Sequence, residues 1–201
     1  MKLILEKITK TFPGQKVFRD ISVEVNKGQT LIINGPNGSG KTTLIKIISS
    51  LLLPTAGKVV FNYNGKDLTG SDILPYIGLV TPDLFVYDEL TAFENLNFFA
   101  EVSGLVVANF EIKLAQFGLK GRGYDLVGTY SSGMKQRLKY ILALMRNPPL
   151  LLLDEPMVNL DDQGKSMVED IIKSHDGITV VTTNEKENLK YVGGREIRLG
   201  E

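Results

Sequence analysis

Cysteine is absent from the 201 residues of this sequence, and histidine occurs once, as His175. A chain without cysteine cannot form disulfide bonds, thiolate metal sites or a thiol nucleophile. A single histidine excludes any scheme that needs two imidazole groups. A serine–histidine–aspartate triad would have to be built on His175.

An excess of charge of one sign is also missing, since 23 basic residues balance 23 acidic ones. No overall field therefore attracts nucleic acid or anionic lipid, and we expect no nucleic-acid partner. The longest apolar run covers residues 44–53, well short of the roughly 18 residues that cross a bilayer. The acidic residue Glu6 comes too early for a secretory signal. We expect a cytoplasmic protein that reaches the inner face of a membrane only through partners.

The composition that is present is that of an ordinary globular protein, with 43% hydrophobic and 23% charged residues. The length fits one domain with room for a small inserted lobe. A chain of this size buries roughly 70% of the surface that its unfolded form exposes, so it can build a core without disulfides or metals.

Hydrophobic periodicity predicts strands and helices in alternation. Strands are predicted at 3–8 and 21–25, separated by a Pro13-Gly14 turn, and then at 30–34, 57–63, 77–80, 150–153 and 178–183. Helices are predicted at 42–53, ended by Pro54 and buried between layers, and at 164–174. This β-α-β order is typical of a parallel sheet with both faces covered, with ligands at the carboxyl ends of its strands.

Helical spacing dominates between residues 88 and 146, with apolar repeats around 90–99, 112–117 and 138–145. We interpret this stretch as a helical subdomain inserted into an α/β core. The core then consists of residues 1–87 and 147–201, and the whole chain of residues 1–201 forms a single domain.

A phosphate-binding loop is predicted at residues 35–42, which read Gly-Pro-Asn-Gly-Ser-Gly-Lys-Thr and fit G-x-x-x-x-G-K-[ST]. Glycines let backbone N–H groups approach phosphates, and the following helix adds its positive end. Lys41 is expected to reach the β- and γ-phosphates and the Thr42 hydroxyl to ligate Mg²⁺. The other residues expected to bind nucleotide here are Asn37, Gly38, Ser39, Gly40 and Thr43. The alternative is a glycine-rich turn without a ligand, which the flanking strand and helix disfavour.

A second part of such a site is predicted at the end of the apolar strand 150–153, where Asp154 and Glu155 follow. We expect Asp154, at the strand tip, to hold Mg²⁺ and Glu155 to act as the general base for an attacking water. The alternative is that the two acids only solvate a strand end.

Three further segments complete a family pattern. Residues 130–137 read Tyr-Ser-Ser-Gly-Met-Lys-Gln-Arg, Asn159-Leu160-Asp161 follows the acidic strand end, and Phe12 precedes the phosphate loop. With all five motifs in this order, the sequence resembles the ATP-binding subunit of ABC transporters. Residues 91–96 and 130–137 look most like exporter-type members, including the short subunit of bacterial cytochrome c maturation (heme export) systems.

The resemblance implies a P-loop NTPase (RecA-like) α/β core with an antiparallel β subdomain and an inserted helical lobe. It implies that Phe12 stacks on adenine and that Ser131, Ser132 and Gly133 close over ATP on a second subunit in a head-to-tail dimer. It also implies separate membrane permease subunits that dock on the helical lobe.

Several positions keep a second interpretation. Phe12 also fits a core aromatic between strands, and Ser131 or Ser132 also fits an ordinary helix N-cap. Ser132 replaces a family Gly, which costs roughly 1 kcal/mol if that position needs a positive φ. Phe85, Val86 and Tyr87 fit either a partner groove or internal packing, and for Phe98 we expect internal packing.

Two positions depart from the family pattern. The resemblance places Pro82 where a Gln senses Mg²⁺ and the attacking water, and Asn184 where a His contacts the γ-phosphate. Proline has no polar side-chain atom, and asparagine can donate a hydrogen bond but cannot relay a proton. Asp83 is one candidate to replace the missing Gln. His175 cannot replace the missing His, because it precedes the strand at 178–183, which spans about 20 Å. It is therefore expected at the opposite edge of the sheet, in a surface or helix-end role.

Two functions therefore remain. The first is a subunit that hydrolyses ATP with Glu155, Asn184 and Mg²⁺, slowly or in dependence on a partner, to power a transporter through ATP-dependent dimerisation. The second is a nucleotide-binding subunit with weak or no hydrolysis that serves as a structural or regulatory partner.

Overall fold

A computed structural model describes residues 1–105, 109–184 and 194–200 of the chain. Its described strands are β1 (Lys2–Phe12), β2 (Gln15–Asn26), β3 (Thr30–Asn34), β4 (Ala56–Tyr63), β5 (Lys66–Leu68), β6 (Ile77–Val80), β7 (Leu150–Leu153), β8 (Ile178–Thr183) and β9 (Arg195–Arg198). Within this described part, an antiparallel sheet has the order β2-β1-β4-β5 and a parallel sheet has the order β6-β7-β8-β3-β9. The α/β fold with a separate antiparallel sheet is confirmed.

The described helices are α1 (Lys41–Ile48), α2 (Ala92–Val102), α3 (Phe110–Gln116), α4 (Ser132–Leu144) and α5 (Asp162–Ser174), with 3₁₀ turns at Gly70–Tyr76 and Val127–Thr129. Helices α2, α3 and α4 come from the stretch with helical spacing, and Leu96, Leu114 and Leu138 join them in one buried cluster. None of the helices in the described ranges is long and apolar enough to span a bilayer.

Helix α1 packs between the two sheets. Leu44 and Ile48 of α1 share a buried cluster with Leu3 of β1 and Leu152 of β7. On the other face of the parallel sheet, Leu151 and Leu153 belong to a cluster that also contains residues of α4 and α5. Strand β7 is therefore buried on both faces, which explains its uninterrupted run of four leucines.

The parallel strands bring four segments of the chain to one edge. Strands β3, β6, β7 and β8 run in the same direction, so the residues that follow them meet at their carboxyl ends. Gly35, Thr81, Asp154 and Asn184 follow these strands in turn. The order of the sheet places β8 between β3 and β7, and the site described below spans these three strands.

Helix α1 is shorter than predicted. It ends at Ile48, where the Ser49 N–H bonds to the Ile45 carbonyl and Ser50 takes a left-handed conformation with φ 59°. Leu51 and Leu53 lie beyond this turn and are 59% and 75% exposed. The prediction of a buried helix over 42–53 is thus wrong for residues 49–53, because the helix ends at Ile48 and the left-handed Ser50 follows before the apolar run ends. By contrast, β1 and β2 extend beyond their predicted ends, since bulges let irregular stretches stay paired.

His175 lies at the C-terminal end of α5, as expected. Its Nδ1 is 2.9 Å from Thr179 Oγ1 and its Nε2 is 2.8 Å from the Pro148 carbonyl oxygen. Both partners belong to the amino-terminal side of the parallel sheet, since Thr179 is the second residue of β8 and Pro148 precedes β7. His175 therefore links the starts of two strands, far from their carboxyl ends.

The position of β7 between two buried layers leads to a stability prediction. Leu152→Ala removes a fully buried side chain and is expected to lower the free energy of unfolding by about 2–5 kcal/mol. Leu53→Ala is the matched control, because Leu53 is 75% exposed, and its effect should stay within about 0.5 kcal/mol. Urea denaturation followed by circular dichroism measures both, and equal losses would contradict the described packing.

Candidate functional site

A cleft of about 420 Å³ opens at the carboxyl edge of the parallel sheet. Residues that the motifs predicted make up most of its lining, namely Phe12, Asn37, Gly38, Gly40, Lys41, Thr42, Thr43 and Glu155. Gln15, Val17 and Pro82 complete the lining. The β3–α1 loop, the β1–β2 hairpin and the segments after β6 and β7 thus converge on one space.

The loop between β3 and α1 depends on glycine at two positions. Gly38 and Gly40 have φ values of 81° and 97°, in the left-handed region that favours glycine. A Cβ atom at Gly40 would overlap the side chain of Val17, whereas at Gly38 it would face open space. The first N–H groups of any α-helix have no acceptor within the helix, so the start of α1 offers donors to an anion. This cradle fits a polyphosphate.

Lys41 supplies the positive charge of the cleft. Its Nζ donates to the carbonyl oxygens of Gly35 at 2.9 Å and Pro36 at 3.2 Å. The same atom is 3.4 Å from Oε1 of Glu155, and the Lys41 side chain is only 4% exposed. A buried ammonium group needs such partners, and they hold this one between the loop and the acidic strand end.

The Thr42 hydroxyl donates to Oδ2 of Asp154 at 2.7 Å. Asp154 is almost fully buried, so a hydroxyl and a carboxylate, two hard oxygen donors, lie side by side below the cleft. Mg²⁺ prefers oxygen ligands of this kind and usually keeps waters and substrate phosphates as further ligands. The described residues contain no group of three or more His, Asp or Glu side chains that could hold a metal by themselves. The pair therefore fits a Mg²⁺ ion that is bound together with a phosphate ligand.

Thr182 also belongs to the site, although sequence reasoning did not select it. This fully buried residue near the end of β8 donates from Oγ1 to Oδ1 of Asp154 at 2.6 Å. Thr182 Oγ1 also accepts a hydrogen bond from the backbone N–H of Glu155 at 2.8 Å. Its signal in the sequence is weak, because it shows only as a polar residue in an apolar strand, two positions before Asn184.

Glu155 turns its side chain toward the cleft from an unusual backbone position. Its φ of 48° lies in the left-handed region, which is uncommon for a residue other than glycine. The side chain is partly exposed and reaches Lys41. A carboxylate that borders the cleft and remains accessible to water has the placement that a general base needs.

The structure places the two departures from the family pattern differently. Asn184 lies beside the loop, with Nδ2 3.4 Å from Oδ1 of Asn37. Pro82 lines the cleft, and Asp83, the candidate to replace a Gln there, is not among the residues that line it. The Asp83 carboxylate accepts a hydrogen bond from Lys46 of α1 at 2.9 Å, and this bond lowers the pKa of Asp83.

Phe12 is 40% exposed at the end of β1, where it borders the cleft. The Lys10 ammonium lies 4.8 Å from the centre of its ring. The alternative of a core aromatic is therefore wrong, because the ring lies at the surface. Stacking of Phe12 on a base stays a prediction.

The segment 131–133 starts helix α4, away from the cleft of its own chain. Ser131 is the N-cap, accepting the Met134 N–H at 3.2 Å. Ser132 is the first helical residue and has no positive φ, so the strain considered for it does not arise. Arg137 of the same helix donates to Asp161 at 2.9 Å. Hydrogen bonds from the Gly164 N–H and from Arg137 lower the pKa of Asp161.

The rings of Tyr87, Phe98 and Phe99 contact one another near α2, and the exposed Phe85 lies two residues before Tyr87; we call these four residues the aromatic patch. Phe85 is 79% exposed, and the rings of Tyr87 and Phe98 meet edge to face with centres 5.3 Å apart. Phe98 was expected to pack internally but is 41% exposed. Its ring packs edge to face against Phe99 at the surface. Val86 packs on the helical cluster.

Comparison with known proteins identifies the family to which the chain is similar. The profile of a family described as ABC transporter matches residues 18–158. The linearmycin resistance ATP-binding protein LnrL of Bacillus subtilis is 33% identical over 199 residues, with 94% of this chain and 63% of that protein covered. The cytochrome c biogenesis ATP-binding export protein CcmA of Mesorhizobium japonicum is 30% identical, with 100% of this chain and 98% of that protein covered.

Two solved structures share the fold. A putative ABC transporter ATP-binding protein from Pyrococcus furiosus superposes with a TM-score of 0.84 at 26% identity, over 99% of this chain and 98% of that one. A bacterial ABC transporter cassette solved as a dimer gives a TM-score of 0.82 at 26% identity, over 98% of this chain and 94% of that one. The chain spans 63%, 54% and 56% of the length of LnrL and of two further B. subtilis relatives.

Proposed function

The chain belongs to the ABC transporter family of ATP-binding proteins, and we propose that it binds and hydrolyses ATP to power a transporter. The observation that supports this most directly is the Thr42 hydroxyl bonded to Asp154 at 2.7 Å. It lies beside the buried Lys41 ammonium at the mouth of a glycine-dependent loop. A nucleoside triphosphate bound with Mg²⁺ would use all three features.

The site residues that the motifs predicted each have a role in this proposal. The N–H groups of residues 37–43 surround the phosphates, and Lys41 binds the β- and γ-phosphates. Phe12 stacks on adenine. A bound Mg²⁺ ion, held by Thr42 and Asp154, would neutralise charge on the phosphates. Glu155 accepts the proton of the water that attacks the γ-phosphorus as the bond to ADP breaks, while Asn184 donates a hydrogen bond to the γ-phosphate.

The proposal also includes a head-to-tail dimer. Ser131, Ser132 and Gly133 lie outside the cleft of their own chain, at the start of α4, whose first N–H groups can meet an anion. These residues would close over ATP held by a second copy or a related subunit. The likeness to a cassette solved as a dimer supports this arrangement.

Membrane permease subunits are the further partners that we propose. The aromatic patch gives them an apolar docking surface, and a groove of about 190 Å³ next to it is lined by Leu84, Phe99 and Arg146 among other residues. The chain would then work at the cytoplasmic face of a membrane. CcmA, by its name an export protein, supports export rather than import.

A second candidate is a subunit that binds ATP with weak or no hydrolysis. One observation favours it, since Pro82, which has no polar side-chain atom, lines the cleft, at the position where the family resemblance implies a Gln. Asp83 is paired with Lys46 and is not among the residues that line the cleft.

Lys41→Ala tests nucleotide binding. Loss of a charge-assisted contact to phosphate is expected to weaken ATP binding by about 10-fold to 100-fold in calorimetry. Lys46→Ala is the matched control, because Lys46 lies on the same helix but pairs with the exposed Asp83, and it should change affinity less than about 3-fold. Unchanged binding by Lys41→Ala would overturn the proposal.

Glu155→Gln tests the base. The amide keeps the shape but cannot take a proton, so ATP hydrolysis should fall about 10²- to 10⁴-fold while a dimer persists in Mg-ATP on gel filtration. Glu169→Gln, on the exposed side of α5 where Glu169 pairs with Lys173, should behave like the parent. A parent rate already as low as that of Glu155→Gln would instead favour the second candidate.

Phe85→Ser tests the docking surface. Losing a ring that is 79% exposed should reduce co-purification with a permease encoded beside this chain, without lowering ATP affinity or stability. Tyr124→Ser is the control, since Tyr124 is 84% exposed but outside the aromatic patch. Full retention of the permease by Phe85→Ser would refute this surface.

A further inference from the structure

One buried hydroxyl holds both acids of the site. Thr182 lies near the carboxyl end of β8, the strand between β3 and β7. Its Oγ1 donates to Asp154 Oδ1 at 2.6 Å and accepts from the Glu155 N–H at 2.8 Å. Two adjacent residues with different proposed roles thus share a single partner on a neighbouring strand.

The chemistry of the hydroxyl fixes the direction of both bonds. A carboxylate oxygen can only accept, so the one proton of Thr182 goes to Asp154 and a lone pair of the same oxygen remains for the Glu155 N–H. Among side chains of this size, only serine and threonine have a hydroxyl that can donate one strong hydrogen bond and accept another. Valine has nearly the same shape but would leave a buried carboxylate oxygen and a backbone N–H without this partner.

The two bonds restrain two different features. Asp154 is bonded through Oδ2 to Thr42 and through Oδ1 to Thr182, so its carboxylate plane is set between two threonines. Glu155 has the left-handed φ of 48°, a conformation that is costly for a residue with a side chain. The bond to its N–H stabilises the turn that directs the Glu155 side chain to the cleft.

We propose that Thr182 is a positioning residue, which orients Asp154 toward the Mg²⁺ site and holds Glu155 in its left-handed turn. The inference rests on the proposed function, because it assigns the two acids their roles in ATP hydrolysis. Thr182 is fully buried and is not among the residues that line the cleft; in this proposal it acts through Asp154 and Glu155. Hydroxyls that orient a metal-binding carboxylate in this way strengthen metal binding and activity by about 10-fold to 100-fold.

The chain contains a matched control on the same strand. Thr179 is also buried in β8, and its hydroxyl is bonded to His175 rather than to the site. Thr179→Val and Thr182→Val therefore make the same chemical change in the same strand and both remove a buried hydrogen bond. Only Thr182→Val removes one that reaches the acids.

The experiment compares Thr182→Val, Thr182→Ser and Thr179→Val with the parent. For Thr182→Val we expect kcat to fall by about 10-fold to 100-fold, with KM for ATP changed less than about 3-fold, since the loop and Lys41 are untouched. The Mg²⁺ concentration that half-saturates ATP binding in calorimetry should rise by at least about 10-fold. Thr182→Ser should restore most of both values, and Thr179→Val should lower stability alone.

The outcomes separate this inference from the proposed function. A parent that binds and hydrolyses Mg-ATP, with a Thr182→Val variant that matches Thr179→Val, overturns the positioning role alone. A parent that does not bind Mg-ATP overturns both. If the valine variant does not fold, Thr182→Cys replaces it, because a thiol keeps the size but is a weak donor and acceptor; it should show the same losses to a smaller degree, and parent-like values would again overturn the inference.

Discussion

The hydrogen bond between Thr42 and Asp154 joins residues 112 positions apart in the chain, and the whole site depends on the fold that makes it possible. The two side chains meet because β3 and β7 run in the same direction and end at one edge, with β8 between them. The leucines of β7 are buried on both faces, so the strand cannot shift without losing packing on two sides. The apolar core thereby sets the spacing of the polar groups.

The position of the Lys41 ammonium group depends on the same convergence of strands at one edge of the sheet. Its ammonium is buried against two carbonyl oxygens of the loop and lies near Glu155. Charges interact more strongly in such a poorly hydrated place than in water. Folding has already removed this group from water and oriented it, so a phosphate that enters the loop does not have to order or desolvate it again. The cleft thus presents a buried and oriented positive charge, which is what the proposed phosphate binding needs.

Contiguous motifs allowed much of this site to be predicted, and long-range pairing explains what was missed. Residues 35–42 and 150–155 carry their chemistry in consecutive positions, and the structure brings both to one cleft. The role of Thr182 depends on which strand lies beside β7, and no local pattern specifies that neighbour. The pairing of Asp83 with Lys46 is equally non-local. The early end of α1 depends on the left-handed turn at Ser50, which serine adopts too rarely for a pattern to predict it.

Helix α4 links the proposed dimer contact to the cleft of its own chain. Tyr140 donates to the Pro156 carbonyl oxygen, next to Glu155, and Lys139 donates to the Pro82 carbonyl oxygen at 3.2 Å. Burial lowers the pKa of Lys139 and raises that of Tyr140, which reflects how closely this helix packs on both segments. Lys139 thus contacts the segment after β6 through the backbone of Pro82, and Tyr140 contacts the segment after β7 through the backbone of Pro156. In the proposed head-to-tail dimer, the start of α4 would therefore be connected through one helix to two segments that border the cleft of its own chain.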